Sequence, residues 1–97
     1  MWVLRTAADA TQPFQFRIVP GNIKTVGRAP GADFIVNAPL VSRLHCRLSA
    51  GPVEIEAEDL ESTNGTYVNG ERVIRGTLKD GDTLRIGAVE LLVRKGR

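Results

Sequence analysis

Three short polar segments of this 97-residue chain carry the residue types that bind phosphate groups. The first ends at Arg28, the second contains Ser42 and Arg43, and the third, residues 62–66, contains Asn64. An arginine offers an oxyanion a planar fork of N–H donors, and hydroxyl and backbone N–H groups fix the remaining oxygens. An asparagine amide donates and accepts, so it can hold the peptide backbone beside the phosphate. Together these residues predict a site for a phosphorylated peptide.

Each segment taken alone has a simpler interpretation. An isolated arginine after Gly27 is usually solvated, a serine before a strand is usually a turn residue, and residues 62–66 could be a plain hairpin connection. Loops at one end of a β-sandwich converge, so the three segments can form one site if the fold brings them together. The prediction depends on that convergence.

The only histidine, His45, lies three residues after Ser42 and could be the base for a serine nucleophile. No third group to orient the pair is evident, so we interpret His45 as a neutral residue that joins two loops by hydrogen bonds. Cys46 alternates with Leu44 and Leu48 and is expected to be a small buried hydrophobic residue. One His and one Cys exclude a zinc-type site, and no catalytic residue, metal or cofactor is predicted.

The composition limits the classes of partner. Thirteen Lys and Arg against 11 Asp and Glu give a net charge of only +2, and aromatic residues are 5% of the chain, which argues against nucleic acid. No apolar run approaches the ~20 residues that span a bilayer, and the N-terminus lacks the features of a signal peptide. The single cysteine excludes an internal disulfide. We therefore expect a cytoplasmic location, or a nuclear one in a eukaryote, no membrane partner, and a monomer in isolation.

The elements that must position these residues are β-strands, because the hydrophobic pattern has a period of two. Alternating runs cover residues 14–18, 44–49, 53–58, 84–86 and 91–93, and turns rich in Gly and Pro separate them. Asn69-Gly70 favours a tight hairpin, residues 6–13 a hairpin loop and residues 95–97 a frayed end. The acids at positions 54, 56 and 58 are expected to form a solvated strand face. This pattern predicts an all-β sandwich or barrel.

Four segments, in this order, resemble the forkhead-associated (FHA) domain: Gly27-Arg28 and residues 41–45, 59–70 and 78–87. The resemblance covers about residues 2–94. It implies a single domain over residues 1–97, which could be part of a longer protein. The implied fold is a sandwich of two antiparallel or mixed sheets, with about eleven short strands and the binding loops at one end.

The resemblance also implies roles for individual residues. Arg28, Ser42 and Arg43 are expected to contact the phosphate, Thr63 to line the phosphothreonine pocket, and Asn64 to bond the peptide backbone. The positions expected to shape the site without touching the ligand are Gly27, His45, Gly65 and Asn69. The implied function is recognition of phosphothreonine in partner proteins, for kinase-dependent signalling or assembly.

Three other functions compete with this one. A scaffold of the same fold could bind proteins independently of phosphate, although it would not need Arg28, Ser42, Thr63 and Asn64 together. A hydrolase would rest on Ser42 and His45, and a nucleic-acid binder on the arginines. Competition by a phosphopeptide tests the scaffold, and turnover of an ester tests the hydrolase. The nearly balanced charge distribution argues against the nucleic-acid binder.

Overall fold

The computed structural model describes residues 1–96 and contains eleven β-strands joined by turns and loops. The strands are β1 (Trp2–Arg5), β2 (Gln15–Ile18), β3 (Ile23–Gly27), β4 (Phe34–Ile35), β5 (Cys46–Ala50), β6 (Ile55–Asp59), β7 (Thr66–Val68), β8 (Glu71–Val73), β9 (Arg75–Leu78), β10 (Thr83–Ile86) and β11 (Val89–Lys95). The predicted all-β fold is confirmed. None of residues 1–96 lies in a helix of the length and hydropathy that a membrane span needs.

The strands form the two sheets of a sandwich. Six of them pair in the order β2-β1-β11-β10-β7-β8, and every neighbouring pair is antiparallel. The other five pair in the order β4-β3-β5-β6-β9, in which only β3 and β4 are parallel. This arrangement confirms the prediction of two antiparallel or mixed sheets.

Alternate residues of both sheets fill one core between them. Trp2 and Leu4 from β1 and Leu48 from β5 are fully buried, as are most inward-facing residues of the longer strands. Each large aliphatic side chain so buried contributes roughly 1.5–3 kcal/mol. The indole N–H of Trp2 donates to the carbonyl of Gly51, 2.8 Å away, which ties β1 to the segment that follows β5.

The predicted start of β5 was wrong. The strand begins at Cys46, and Leu44, which was placed on the core face, is 47% exposed, whereas His45 is fully buried. The His45 ring is hydrogen-bonded to two loops, so the segment before Cys46 does not follow the alternation of a strand. Cys46 itself is buried as predicted, and burial raises the pKa of its thiol to about 12.

Two other strand ends differ from the prediction. β6 begins at Ile55, so Val53 lies outside the strand and is 64% exposed. Lys95 is the last residue of β11 and does not fray, because the N–H of Gly96 donates to the carbonyl of Met1 at 2.6 Å. Residue 97, the end of the stretch predicted to fray, lies outside the described residues.

Both predicted hairpin connections occur. Residues 6–14 connect β1 to β2, and Asn69-Gly70 connects β7 to β8 with φ angles of 50° and 82°. Positive φ at both central residues gives a turn whose twist matches that of the paired strands. This hairpin is tied to the start of β10, because Asn69 Oδ1 accepts from the N–H of Thr83 at 2.9 Å.

Candidate phosphate-binding site

Four of the five predicted ligand contacts surround one depression at the loop end of the sandwich. The depression has a volume of about 540 Å³, and Arg28, Ser42, Thr63 and Asn64 all line it together with residues 37–41. They come from the β3–β4, β4–β5 and β6–β7 connections, so the convergence on which the prediction depended occurs. The side chain of Arg43 is exposed and does not line the depression.

Arg28 is held at its base and open at its tip. Its Nε donates to the carbonyl of Val41 at 3.1 Å, and its backbone N–H donates to the carbonyl of Ser42 at 2.9 Å. None of the hydrogen bonds formed within residues 1–96 uses its two terminal nitrogens. A guanidinium fixed in this way presents its two terminal NH2 groups to an anion at a small cost in side-chain entropy.

Gly27 lets β3 approach the β4–β5 connection closely. A Cβ atom at this position would lie 2.1 Å from the carbonyl oxygen of Arg43. The same approach allows the N–H of Ala29 to donate to that oxygen at 3.0 Å. Any side chain at Gly27 would therefore displace the backbone that carries Ser42. This supports the site-shaping role predicted for Gly27.

Ser42 joins two of the loops and keeps a donor free. Its Oγ accepts a hydrogen bond from the N–H of Thr63 at 3.1 Å. The hydroxyl oxygen is the acceptor in that contact, so the hydroxyl proton remains available to a ligand oxygen. The Thr63 side chain is exposed at the rim of the depression.

His45 is fully buried and links the same two loops from below. Its Nδ1 accepts from the N–H of Ser42 at 3.1 Å, so the neutral ring carries its proton on Nε2, which lies 2.7 Å from the carbonyl of Gly65. Both ring nitrogens are therefore occupied by backbone groups. The interpretation of His45 as a neutral link between loops agrees with this geometry, and the ring does not reach the Ser42 hydroxyl as a base.

An aspartate that the sequence reasoning did not single out organises the β6–β7 loop. The carboxylate of Asp59 accepts from the N–H and Oγ of Ser62 and from the Oγ1 of Thr66, and Ser62 Oγ accepts from the N–H of Gly65. Burial on its own raises the pKa of Asp59, but the hydrogen bonds from Ser62 and Thr66 outweigh it and lower the pKa. The Asp-x-x-Ser spacing typical of side-chain-capped turns was the available signal.

Asn64 fixes the loop that faces it. Its Nδ2 donates to the carbonyl of Leu40 at 3.0 Å, which leaves Oδ1 open to a peptide N–H. Leu40 has a φ of 70°, and the β10–β11 turn packs against it: a Cβ at Gly87 would lie 2.6 Å from the Leu40 oxygen. Leu40 therefore lines the site and Gly87 packs against it from behind, a contact that nothing in the local sequence of either residue indicated.

The remaining predicted residues lie behind the depression or away from it. Gly65 has a φ of 89°, a conformation that favours glycine, and this orients its carbonyl toward His45. Asn69 lies in the β7–β8 hairpin, where it also donates to Asp82 at 3.1 Å, and it does not line the depression. Gly65 thus supports the β6–β7 loop from behind, whereas Asn69 ties the β7–β8 hairpin to β10 and makes no contact with the depression.

The fold and this depression define a β-sandwich whose connecting loops form a binding site at one end. The family model of the FHA domain matches residues 24–87, two thirds of the chain. The chain belongs to the FHA domain family.

Curated relatives contain this domain within longer proteins. The ABC transporter ATP-binding/permease protein Rv1747 of Mycobacterium tuberculosis is 40% identical over 77 residues, which are 79% of this chain and 9% of the transporter. The oxoglutarate dehydrogenase inhibitor of Corynebacterium efficiens is 38% identical over 72 residues, 74% of this chain and 51% of the inhibitor. The match thus spans about half of the inhibitor and less than a tenth of the transporter.

Solved FHA domains have the same fold. The FHA domain of the CT664 protein from Chlamydia trachomatis superimposes with a TM-score of 0.89 at 26% identity, covering 99% of this chain and 98% of that one. Another FHA domain, solved for its phosphothreonine-dependent interactions, gives a TM-score of 0.81 at 32% identity and covers 99% of this chain and 97% of that one.

Proposed function

We infer that this FHA domain is a phosphopeptide-binding module that recognises phosphothreonine in partner proteins and serves kinase-dependent signalling or assembly. The observation that carries this inference is the depression in which the free nitrogens of Arg28 and the free hydroxyl proton of Ser42 lie together with Thr63 and Asn64. A site with this many open donors and no carboxylate in its lining fits an anion.

Binding depends on phosphorylation through charge. A phosphothreonine carries nearly two negative charges at neutral pH and three acceptor oxygens. The Arg28 nitrogens neutralise that charge, the Ser42 hydroxyl donates to one oxygen, and Thr63 closes the pocket from the β6–β7 side. Hydrogen bonds to charged groups contribute roughly 1.5–3 kcal/mol each. Less the cost of ordering a peptide, several of them give micromolar binding, about −8 kcal/mol.

Asn64 acts on the peptide and not on the phosphate. Its amide nitrogen is already engaged by Leu40, so the group it offers is the acceptor Oδ1. A phosphate bears only acceptors at neutral pH, whereas a peptide backbone supplies N–H donors. Asn64 therefore holds the chain beside the phosphothreonine. The phosphate contact predicted for Arg43 comes from its exposed side chain or from its backbone N–H, which donates no hydrogen bond within residues 1–96.

We further propose that the domain binds without catalysing a reaction. The hydrolase considered from Ser42 and His45 needs a free ring nitrogen, and both nitrogens of His45 are bonded to backbone groups. The expectations of a cytoplasmic location, of no nucleic-acid or membrane partner and of a monomer remain predictions.

A phosphopeptide library in which a phosphothreonine is flanked by random positions tests the proposal. We expect selective retention of a subset of its peptides, with micromolar dissociation constants by calorimetry and no detectable binding of the unphosphorylated counterparts. A phospho-independent scaffold would bind both forms equally, or would bind a partner that no phosphopeptide displaces. Either of these results would reject the proposed function.

A further inference from the structure

The outer face of the six-stranded sheet carries five of the ten arginines of the chain. Since Trp2 and Leu4 point into the core, Val3 and Arg5 point outward, and the same alternation holds along β2, β7, β10 and β11. We call the outward-facing arginines of this sheet the arginine face: Arg5, Arg17, Arg72, Arg85 and Arg94.

Three of these arginines surround one residue. In the strand register, Val3 lies opposite Arg17 on β2 and opposite Arg94 on β11, and Arg5 is two residues further along β1. Neighbours at these positions are about 5–8 Å apart between Cβ atoms, and like charges at that spacing destabilise a sheet. Within residues 1–96, the only carboxylate within 4 Å of any of the three is Asp80, 3.6 Å from Arg94.

Two arginines of the five-stranded sheet, in contrast, are paired with a carboxylate. There Arg47 and Arg75 both pair with Glu58, which lies between them on β6. No carboxylate of the described chain lies within 4 Å of Arg5 or Arg17. The chain thus pairs Arg47 and Arg75 on the five-stranded sheet with carboxylates, and leaves Arg5 and Arg17 on the six-stranded sheet without such a partner among the described residues.

A depression with an apolar floor adjoins this cluster. It has a volume of about 650 Å³, and Arg5 lines it together with Pro13, Phe14 and Leu92. The depression lies where the β1–β2 loop folds over β11 and β10, so an unpaired guanidinium stands directly beside an apolar hollow. Glu90, the one acid of its lining, lies opposite Arg85 in the register of β10 and β11.

We propose that the arginine face and the adjoining depression form a second docking surface, separate from the phosphate site, for an acidic segment of a partner protein. Carboxylates of the segment pair with Arg5 and Arg17, and one bulky apolar side chain enters the hollow beside Arg5. Arginine next to an apolar pocket is the combination that concentrates binding energy at protein interfaces. Potentials of opposite sign additionally speed the encounter.

The described surface favours a protein over other polyanions. A nucleic acid needs aromatic platforms or a continuous basic stripe. The outward-facing Leu92 and Glu90 of β11 separate Arg5 from Arg85, so the basic residues form no continuous stripe. The aromatic residue among these strand positions, Tyr67, is covered by the guanidinium of Arg85 at 3.8 Å. An anionic membrane takes up exposed apolar side chains, and Val3 and Leu92 are both partly buried.

The test measures fluorescence anisotropy of labelled, unphosphorylated peptides rich in Asp and Glu that each carry one Phe. The same peptides with Asn and Gln in place of the acids serve as reference. The variant Arg5→Ala/Arg17→Ala removes two charges from the arginine face. The control Lys24→Ala/Lys79→Ala removes two charges from β3 and from the turn before β10. Circular dichroism checks that both variants fold.

We expect saturable, salt-sensitive binding of the acidic peptides only, weakened about tenfold by Arg5→Ala/Arg17→Ala and less than twofold by the control. A short phosphothreonine peptide should bind the two variants equally well, which separates this surface from the phosphate site. Equal weakening in both variants, or no binding of any acidic peptide, would overturn the proposal. So would binding of phosphatidylserine vesicles or duplex DNA in preference to the peptides.

Discussion

Arginines occupy two contrasting environments in this domain, on the five-stranded sheet and at the loop end. On the sheet, Arg47 and Arg75 both donate to the carboxylate of Glu58, and these hydrogen bonds, that of Arg47 first, hold the pKa of Glu58 below its ordinary value. At the loop end, the guanidinium of Arg28 donates to a single backbone carbonyl within residues 1–96, that of Val41. The first two arginines are therefore paired with a carboxylate within the fold, whereas the two terminal nitrogens of Arg28 are left for a ligand.

This difference explains how binding can depend on a modification. An arginine that already holds a carboxylate gains little from a phosphate, because the new contact replaces an old one. Arg28 has no anion to lose, so the two negative charges of a phosphothreonine add a full interaction. Its base is nevertheless fixed by Val41 and Ser42, which limits the entropy lost on binding.

Removal of the two kinds of arginine should have very different effects. We expect Arg28→Ala to weaken phosphothreonine-peptide binding at least about a hundredfold, roughly 3 kcal/mol, since it removes the charged donors of the site. Arg47→Ala takes away the same charge and should change the dissociation constant less than twofold. Calorimetric titration of one peptide into both variants measures the two dissociation constants. Similar losses of affinity in the two variants would contradict the proposed difference between Arg28 and Arg47.

Substitution of Gly27, where the backbone of β3 closely approaches that of Arg43, should have an effect nearly as large. Gly27→Ala places a methyl group 2.1 Å from a backbone oxygen, so we expect a loss of about 2–3 kcal/mol in the free energy of unfolding and weaker binding. Gly31→Ala is the control, because nothing lies within 4 Å of a Cβ there. Urea denaturation measures both, and a Gly27→Ala protein as stable as the control would show that the loop end is not packed as described.

Substitutions of Asn64 and Arg28 should have different effects on the binding of the peptide and on the binding of phosphate alone. Asn64→Ala is expected to weaken binding of the phosphothreonine peptide about tenfold, roughly the value of one or two hydrogen bonds, and to leave inorganic phosphate binding almost unchanged. Arg28→Ala should weaken both. Competition by inorganic phosphate, followed by NMR, gives the second affinity. Equal losses of peptide and phosphate binding in Asn64→Ala would exclude the proposed backbone contact.

Substitution of Asp59 should give the smallest change in the free energy of unfolding, and the size of that change should depend on pH. Because its pKa is lower in the folded than in the unfolded state, its stabilisation is complete above the unfolded value of about 3.9 and is lost as the pH falls through the folded pKa. We expect Asp59→Asn to cost about 1 kcal/mol at pH 7 and progressively less below about pH 4. Urea denaturation across that range measures the difference.

Glu54 provides the control for Asp59, since its side chain is exposed and makes no hydrogen bond within residues 1–96. Glu54→Gln should leave the stability unchanged at every pH. A constant deficit of Asp59→Asn down to pH 2 would contradict the proposed role of its carboxylate.

The sequence predicted those parts of the molecule that depend on local pattern. The period of two identified five of the eleven strands, β2, β5, β6, β10 and β11, and Asn69-Gly70 identified its hairpin, because both signals lie within a few residues. The four residues around the depression were predicted because their side chains suit a phosphate and a peptide backbone, and because they match the motifs of the family. The fold then placed Arg28, Ser42, Thr63 and Asn64 together.

The parts that escaped prediction depend on contacts between distant segments. Leu44 was placed on the core face because alternation was extended past Cys46, whereas the buried residue is His45, drawn inward by bonds to Ser42 and Gly65. Leu40 and Gly87 meet across 47 positions of sequence, and neither has a local signal for that contact. The period-two hydrophobic pattern reports on neighbouring residues within a strand, so it carries no information on the packing of irregular loops that are distant in sequence.

The most direct test of the central claim is an NMR titration of the domain with one selected peptide in its phosphorylated and unphosphorylated forms. With the phosphothreonine form, we predict amide shifts concentrated at Arg28, Ser42, and residues 63–65, and no shifts at these positions with the other form. Equal shifts from both peptides, or shifts confined to the sheet faces, would contradict the account of a site completed by phosphate.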